Sequence, residues 1–307
     1  MHLTPFHHGP LASWKVIGRA EGWAPCPDFV YPELGDATSL PSSIVTLSDS
    51  VVMVFDDIAA FDISIDQKTI SIFAVDEDTT SDDLDHLLYD HVVPRIIAGH
   101  GNPVLHGSAL EIDQRIAVFL GDTGAGKSTL AASLHHAGYR LLGDDALIVH
   151  SGKDGYSGSS VYPTLRLYPE TIAQVLGEGI QTAPMANYST KRRVQLPTIG
   201  RDNPDPLPIG ALFFLGDGRD AKDVTKEAIG PGEACMAIMG QSFALDPSQA
   251  GPAAKRLEQI SGLVEALPCY RLTYPRDFAR LKEVHETILS VMRQHSQEPL
   301  SVSERVG

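Results

Sequence analysis

Eight consecutive residues, Gly121 to Ser128, have the types and spacing of a phosphate-binding loop. They read Gly-Asp-Thr-Gly-Ala-Gly-Lys-Ser and fit the pattern G-x-x-x-x-G-K-S. The glycines of this pattern let the backbone N–H groups face the phosphates, while Lys127 reaches the terminal phosphates and Ser128 ligates Mg²⁺. An apolar run precedes the loop and an amphipathic segment follows it, so the motif predicts binding of a nucleoside triphosphate. The expected contacts are Gly121, Asp122, Thr123, Gly124, Ala125, Gly126, Lys127, Ser128 and Thr129.

Two adjacent carboxylates, Asp144 and Asp145, lie sixteen residues beyond Ser128 and just before an expected strand at 146–149. Phosphoryl transfer needs one group near Mg²⁺ and a base near the acceptor hydroxyl. Beside a phosphate-binding loop, the pair predicts these two roles. Taken alone, an aspartate pair is also typical of a turn.

Basic side chains supply two further candidates. His106 stands just before the strand that leads into the loop, where it would approach the phosphates, although a lone histidine is more often structural. Lys191, Arg192 and Arg193 form the only run of three basic residues in the chain. They predict a clamp that neutralises charge on the γ-phosphate, the alternative being a solvated loop.

Composition limits the partners. The 24 basic and 39 acidic residues give a net charge of −15, which argues against nucleic acid as the main partner. The three cysteines, Cys26, Cys235 and Cys269, are far apart and predict reduced thiols. No signal peptide and no apolar run of about 18 residues is present, so we expect a cytoplasmic protein without a membrane partner.

Hydrophobic periodicity divides the chain into four parts. Residues 1–80 read as a small β-rich domain, with a hairpin near 61–72 that buries one face. A bridging helix over 81–103 starts with Ser81 as its N-cap and presents Leu84, Leu87, Leu88 and Val92 on one face. The catalytic part covers 104–293, and 294–307 is a polar tail.

Within the catalytic part, a strand at 116–120 leads into the loop and a helix at 127–137 leaves it, ended by Gly138. A flexible turn is expected at 151–160, a short helix at 169–176 and irregular structure at 177–208. A buried strand follows at 211–215. Helices at 253–267 and 277–292 enclose a last strand at 270–273.

Three segments taken together resemble a known family. Leu105-His106-Gly107-Ser108-Ala109, the phosphate-binding loop, and the stretch 138–145 that ends in the aspartate pair occur in the order found in the catalytic domain of HPr kinase/phosphorylase. The chain is especially similar to shorter relatives among the lasso-peptide precursor kinases, which tailor ribosomally made peptides. The resemblance is specific across about 104–150 and weaker across 151–290.

The resemblance implies an α/β P-loop kinase domain related to phosphoenolpyruvate carboxykinase, here preceded by the small β-rich domain. It implies transfer of phosphate from ATP, with Mg²⁺, to a serine hydroxyl of a peptide or protein. His106 then matches the active-site histidine, and Lys127 with Ser128 matches the loop pair. Asp144 and Asp145 match the catalytic acidic pair of the family, one member of which is the general base. We take Asp145 as the base, and Ser128 with Asp144 as the Mg²⁺ ligands. Related enzymes form rings, which implies a homo-oligomer.

The chain departs from the family at two places. Thr129 stands where the family loop usually continues with Glu, and the downstream Glu-x-Arg-Gly-x-Gly signature is absent. The corresponding stretch, 164–169, reads Thr-Leu-Arg-Leu-Tyr-Pro, so Arg166 is the candidate for an analogous place. These departures favour a peptide-tailoring kinase over an HPr kinase/phosphorylase. A nucleotide-binding regulatory module without strong catalysis, a small-molecule kinase and a nucleotidyl transferase remain alternatives.

Overall fold

The computed structural model describes residues 11, 13–17, 41, 43–74, 78–162, 164–195 and 206–296; Cys26 and the tail beyond 296 lie outside them. Within these ranges the strands form three sheets, and the mixed architecture confirms the predicted α/β class. The strands are β1 (Lys15–Ile17), β2 (Ser43–Thr46), β3 (Val51–Phe55), β4 (Ala59–Ser64), β5 (Thr69–Ala74), β6 (Val104–Leu105), β7 (Gly107–Ile112), β8 (Arg115–Leu120), β9 (Arg140–Gly143), β10 (Leu147–Gly152), β11 (Gly155–Ser160), β12 (Arg166–Leu167), β13 (Thr182–Ala186), β14 (Ser189–Val194), β15 (Leu207–Leu215), β16 (Thr225–Ala228) and β17 (Cys269–Thr273). The helices are α1 (Ser81–Leu87), α2 (Val93–Gly99), α3 (Lys127–His136), α4 (Pro169–Thr171), α5 (Pro231–Gly240), α6 (Ala250–Ala266) and α7 (Leu281–Ser296). Two π-helical segments (Leu88–Val92 and Ile172–Leu176) and a 3-10 turn (Phe278–Arg280) complete the elements.

The N-terminal sheet has the order β1-β5-β4-β3-β2. Its β4–β5 hairpin pairs Ser64 with Thr69 and confirms the expected turn between them, where Lys68 has φ +53°. The predicted buried face of the hairpin is confirmed, because Phe61, Ile63, Ile70 and Ile72 lie in one hydrophobic cluster. Outside the hairpin stretch, Val52 and Val54 of β3 are buried on the opposite face, while Met53 belongs to the first cluster. The apolar run of β3 explains this, because successive residues of a strand point to opposite faces.

A continuous helix, formed by α1, the π segment Leu88–Val92 and α2, follows this sheet and is called the bridging helix below. Its N-cap is Thr80, whereas the sequence predicted Ser81. The Thr80 hydroxyl accepts a hydrogen bond from the Asp83 N–H, and the Asp83 carboxylate accepts one from the Thr80 N–H, which is a capping box. Pro94 does not end the helix, because it lies in the first turn of α2, after the wider π segment.

The expected apolar face of the bridging helix is confirmed. Leu84, Leu87, Leu88 and Val92 are buried in one cluster with the N-terminal sheet. That cluster also contains Ile148 of β10, so the sheet, the bridging helix and the catalytic part share a hydrophobic core.

The nine-stranded sheet carries the phosphate-binding loop. Its order is β6-β10-β11-β15-β8-β7-β9, with β17 beside β15 and β16 beside β17. Alternate residues of β8 pack in opposite directions: Phe119 packs in the cluster that holds α3 and α7, and Val118 in the cluster that holds α5 and α6. Helices therefore cover both faces of the sheet.

Two segments differ from the sequence expectation. Residues 151–160 are the tip and second strand of the β10–β11 hairpin, closed at Gly155 with φ +101°. Residues 182–194 form the β13–β14 hairpin and not irregular structure. Strands β11, β13 and β14 consist mostly of small or polar residues, so no alternation of hydrophobic and polar residues reveals them in the sequence. In the described part of the chain, no helix is long and apolar enough to span a membrane.

Candidate active site

One edge of the nine-stranded sheet gathers the residues singled out from the sequence. Strands β8 and β9 are both antiparallel to β7, so β8 and β9 run in the same direction. Their carboxyl ends, which carry the phosphate-binding loop and the aspartate pair, therefore meet at the edge where β7 begins after His106. The topology thus explains why segments separated by tens of residues form one site.

The phosphate-binding loop connects β8 to α3. Gly124 has φ +80° and Gly126, at the N-cap of α3, has φ +101°, a left-handed backbone that favours glycine. The Lys127 ammonium group donates hydrogen bonds to the carbonyl oxygens of Gly121 (2.6 Å) and Asp122 (3.3 Å). Burial lowers the pKa of Lys127, opposed by Asp145 and Asp144. The loop thus holds its own cation at the helix N-terminus, where anions bind favourably.

Asp144 is almost completely buried at the end of β9. Its Oδ1 accepts a hydrogen bond from the Ser108 hydroxyl, whereas its Oδ2 has no hydrogen-bond partner among the described residues. Burial, and then the charge of Asp145, raise the pKa of Asp144 to about 6, although Ser108 and Ser128 oppose the shift. A buried carboxylate oxygen without a partner, close to a loop serine, fits a divalent cation that is also held by phosphate oxygens.

Asp145 has a different environment from its neighbour. Its backbone has φ +80°, an uncommon conformation for a residue other than glycine, and its side chain lines the cleft with 19% of its surface exposed. The Oδ2 atom accepts a hydrogen bond from Nη1 of Arg166 at 2.5 Å. Asp145 is therefore an accessible carboxylate held by one guanidinium group.

His106 is the single residue between β6 and β7, and it lines the cleft beside the loop. Its backbone N–H donates to the Gln241 carbonyl oxygen at 2.6 Å, and its ring makes an edge contact with Phe243. Burial lowers the pKa of His106; the charge of Asp145 opposes this, while Lys127 adds to it. The structure brings His106 to the site as a histidine with a weakened affinity for a proton.

The three basic residues of β14 separate from one another. Of the three, only Lys191 is among the described residues that line the cleft, where its ammonium group lies 5.5 Å from the Tyr168 ring centroid. Arg192 donates to Thr182 of the neighbouring strand, and Arg193 lies near Asp82 of α1. The expectation that all three bind phosphate is not supported for Arg192 and Arg193, because strand pairing directs these two side chains to other partners.

The cleft has a volume of about 1130 Å³, and two further groups of residues line it besides the loop. The first group follows β17 and includes Tyr274 and Phe278, with Arg276 donating to the Gly124 carbonyl oxygen at 2.7 Å. The second group belongs to the bridging helix and consists of the polar residues His86, Asp90, His91 and Arg95.

Sequence reasoning missed the contribution of the bridging helix. His86 and Asp90 are four residues apart, which places both on one face of a helix. Both side chains are buried although they are polar. Polar residues at helical spacing among apolar ones are the sequence signal that could have identified them. In the described part of the chain, no group of three or more His, Cys, Asp and Glu side chains is arranged to hold a metal ion by itself.

Comparisons with known proteins found likeness among solved structures. No family model matches this chain, and no curated protein matches it. Among solved structures, the Hpr(Ser) kinase/phosphatase from Coxiella burnetii is similar with 13% sequence identity and a TM-score of 0.33. The likeness covers 64% of this chain and 99% of that chain. A TM-score this low carries no argument, so the functional assignment rests on the geometry of the site.

Proposed function

We propose that the chain is an ATP-dependent serine kinase that phosphorylates a peptide or protein, with a ribosomally made precursor peptide as its acceptor. The observation that carries the proposal is that the phosphate-binding loop, Asp144 and Asp145 share one edge of the sheet, with the two carboxylates in different environments. Such a difference within a pair of carboxylates supports two separate chemical roles.

In this proposal Asp144 and Ser128 hold Mg²⁺. Asp144 is buried, and its Oδ2 has no hydrogen-bond partner within 3.5 Å among the residues that the structure describes. The Ser128 hydroxyl is close enough to lower the pKa of Asp144, against the effect of burial. When bound, Mg²⁺ would neutralise the negative charge that develops on the phosphates during transfer. The buried carboxylate is thus assigned to the cation.

Asp145 is the proposed general base, because its carboxylate opens on the cleft. The acceptor hydroxyl oxygen forms a bond to the γ-phosphorus while the bond between that phosphorus and the β,γ-bridging oxygen breaks. The hydroxyl proton passes to Asp145, and ADP leaves with the electron pair of the broken bond. Lys127 and Lys191 stabilise the negative charge on the phosphoryl oxygens.

The two groups of lining residues suit the two substrates. We assign the group with Tyr274 and Phe278 to the nucleoside, because aromatic faces stack on a base. The part of the cleft lined by Arg166 and the bridging helix is assigned to the acceptor. In this proposal the sheet within 1–80 and the bridging helix in 81–103 serve the acceptor, 104–293 is the kinase domain and 294–307 is a tail.

Intact mass spectrometry tests the proposal. The protein is incubated with Mg·ATP and with the peptides encoded beside its gene, and the expected product carries one added phosphoryl group on a serine. Asp145→Asn should abolish the reaction but keep nucleotide binding. An added nucleotide would indicate a nucleotidyl transferase, and nucleotide binding without transfer to any acceptor would favour a regulatory module.

A further inference from the structure

Asp90 is a buried carboxylate in the π-helical segment of the bridging helix, outside the sheet edge that carries the kinase residues. Its Oδ1 accepts a hydrogen bond from Nη2 of Arg166. The same guanidinium group donates through Nη1 to Asp145 at 2.5 Å. One arginine therefore joins Asp90 to the proposed base.

The guanidinium group is held from several directions. Nη2 also lies 3.2 Å from the Tyr162 hydroxyl and 3.1 Å from the Thr164 hydroxyl, and the Tyr162 hydroxyl donates to Asp90. Arg166 itself is buried. Because arginine donates through a rigid planar fork, fixing Nη2 also fixes the direction in which Nη1 points.

The far side of Asp90 is fixed as well. Its Oδ2 lies 3.0 Å from Nε2 of His86, and Nδ1 of His86 lies 2.5 Å from the Tyr188 hydroxyl oxygen. The charge of Arg166 and the contact with His86 hold the pKa of Asp90 well below its usual range despite burial. Asp90 is thus an anchored anion between the bridging helix and Arg166.

Stability alone is a poor explanation for this arrangement. Buried ion pairs contribute little net stability compared with apolar residues of similar size, because both charges lose their hydration. Here the chain of contacts ends at a carboxylate that opens on the cleft and has φ +80°. Single π-helical turns within α-helices are also frequent at functional sites.

We propose that Asp90 is a positioning residue, which acts through Arg166 to hold the Asp145 carboxylate where the acceptor hydroxyl reaches it. The bridging helix is then a part of the active site and not a linker. This inference rests on the kinase function proposed above, and it adds to that function a residue from outside the kinase domain.

The test is Asp90→Asn, which keeps the shape of the side chain and removes its charge. Arg166 then turns toward Asp145, the carboxylate moves, and we expect kcat to fall on the order of 10- to 100-fold. The dissociation constant for Mg·ATP should stay at the wild-type value, because the phosphate-binding loop is untouched. Asp85→Asn is the matched control on the same helix; the charged neighbours of Asp85 in the described chain are Arg193 and Asp82. This control should keep the wild-type kcat.

A second variant keeps the idea testable if Asp90→Asn does not fold. Arg166→Lys retains the buried positive charge but cannot hold both carboxylates, so kcat should fall with nucleotide binding unchanged. Where both variants fold, the double variant should lose no more activity than the worse single variant, since both break one chain of contacts. The positioning role would be overturned if the double variant lost kcat by the product of the two single losses. It would also be overturned if either folded single variant kept the wild-type kcat. An inactive wild-type protein would instead refute the proposed kinase function.

Discussion

Asp144→Asn is expected to change the unfolding free energy more favourably at alkaline pH than at acid pH, while it removes phosphotransfer. Asp144 is buried and its pKa is raised to about 6, chiefly by burial and secondly by Asp145. The folded state therefore favours the protonated acid, and ionising this carboxylate opposes folding. That penalty is absent well below the ordinary pKa, develops between about pH 4 and pH 6, and is complete above pH 6.

The magnitude follows from the shift. A rise from 3.8 to about 6 corresponds to a penalty of about 3 kcal/mol at pH 8 and about 1 kcal/mol at pH 4.5. Asparagine never ionises, so the variant should gain about 2 kcal/mol more unfolding free energy at pH 8 than at pH 4.5. The new amide also changes stability, but this contribution is independent of pH and cancels in the comparison.

Urea unfolding at the two pH values, without Mg²⁺ or nucleotide, measures this difference. Asp113→Asn serves as the control, because Asp113 is an exposed residue of the β7–β8 turn with φ +51°, which asparagine tolerates. It removes the same charge and should shift stability little and equally at both pH values. The reasoning is refuted if Asp144→Asn gains no more at pH 8 than at pH 4.5.

Four other substitutions test the site and the sheet that supports it. Lys127→Ala should lower kcat/KM on the order of 100- to 1,000-fold by removing a charge aimed at the phosphates, which steady-state kinetics measures; a loss below tenfold would contradict that role. Lys191→Ala should lower kcat/KM about 10- to 100-fold, the effect of one hydrogen bond to a charged group, whereas Arg192→Ala should leave it near wild type. Equal losses of kcat/KM in these two variants would instead indicate that the whole basic run 191–193 binds phosphate. Gly143→Ala places a Cβ against the Ser160 side chain and should lower the unfolding free energy by about 1–3 kcal/mol. Thermal unfolding measures this loss, and an unchanged melting temperature would contradict it.

The part of the site that follows from local pattern was predictable. The loop is defined by consecutive residues, and a nearly continuous apolar strand leads into it. The helix that leaves the loop carries Leu130 and Leu134 four residues apart, which marks its buried side. The direction of β9 then places Asp144 and Asp145 beside the loop. Their division of roles stays a proposal, since it depends on which of the two is buried.

The features that sequence reasoning missed depend on long-range packing. Lys191 and Arg192 are neighbours in the chain, but only Lys191 reaches the cleft, because an unrecognised hairpin assigns them to different partners. Asp90 meets Arg166 across 76 positions of sequence. Hydrophobic periodicity reveals the apolar face of the bridging helix but not the one carboxylate on it that has a buried partner.

Transfer of a positional label tests the kinase assignment most directly. ATP labelled in the γ-phosphate and ATP labelled in the α-phosphate are supplied separately with Mg²⁺ and the acceptor peptide. The proposed function predicts that the γ-label alone becomes attached to a serine of the peptide, and that Asp145→Asn prevents it. Attachment of the α-label, or of neither label by a protein that binds ATP, would contradict it.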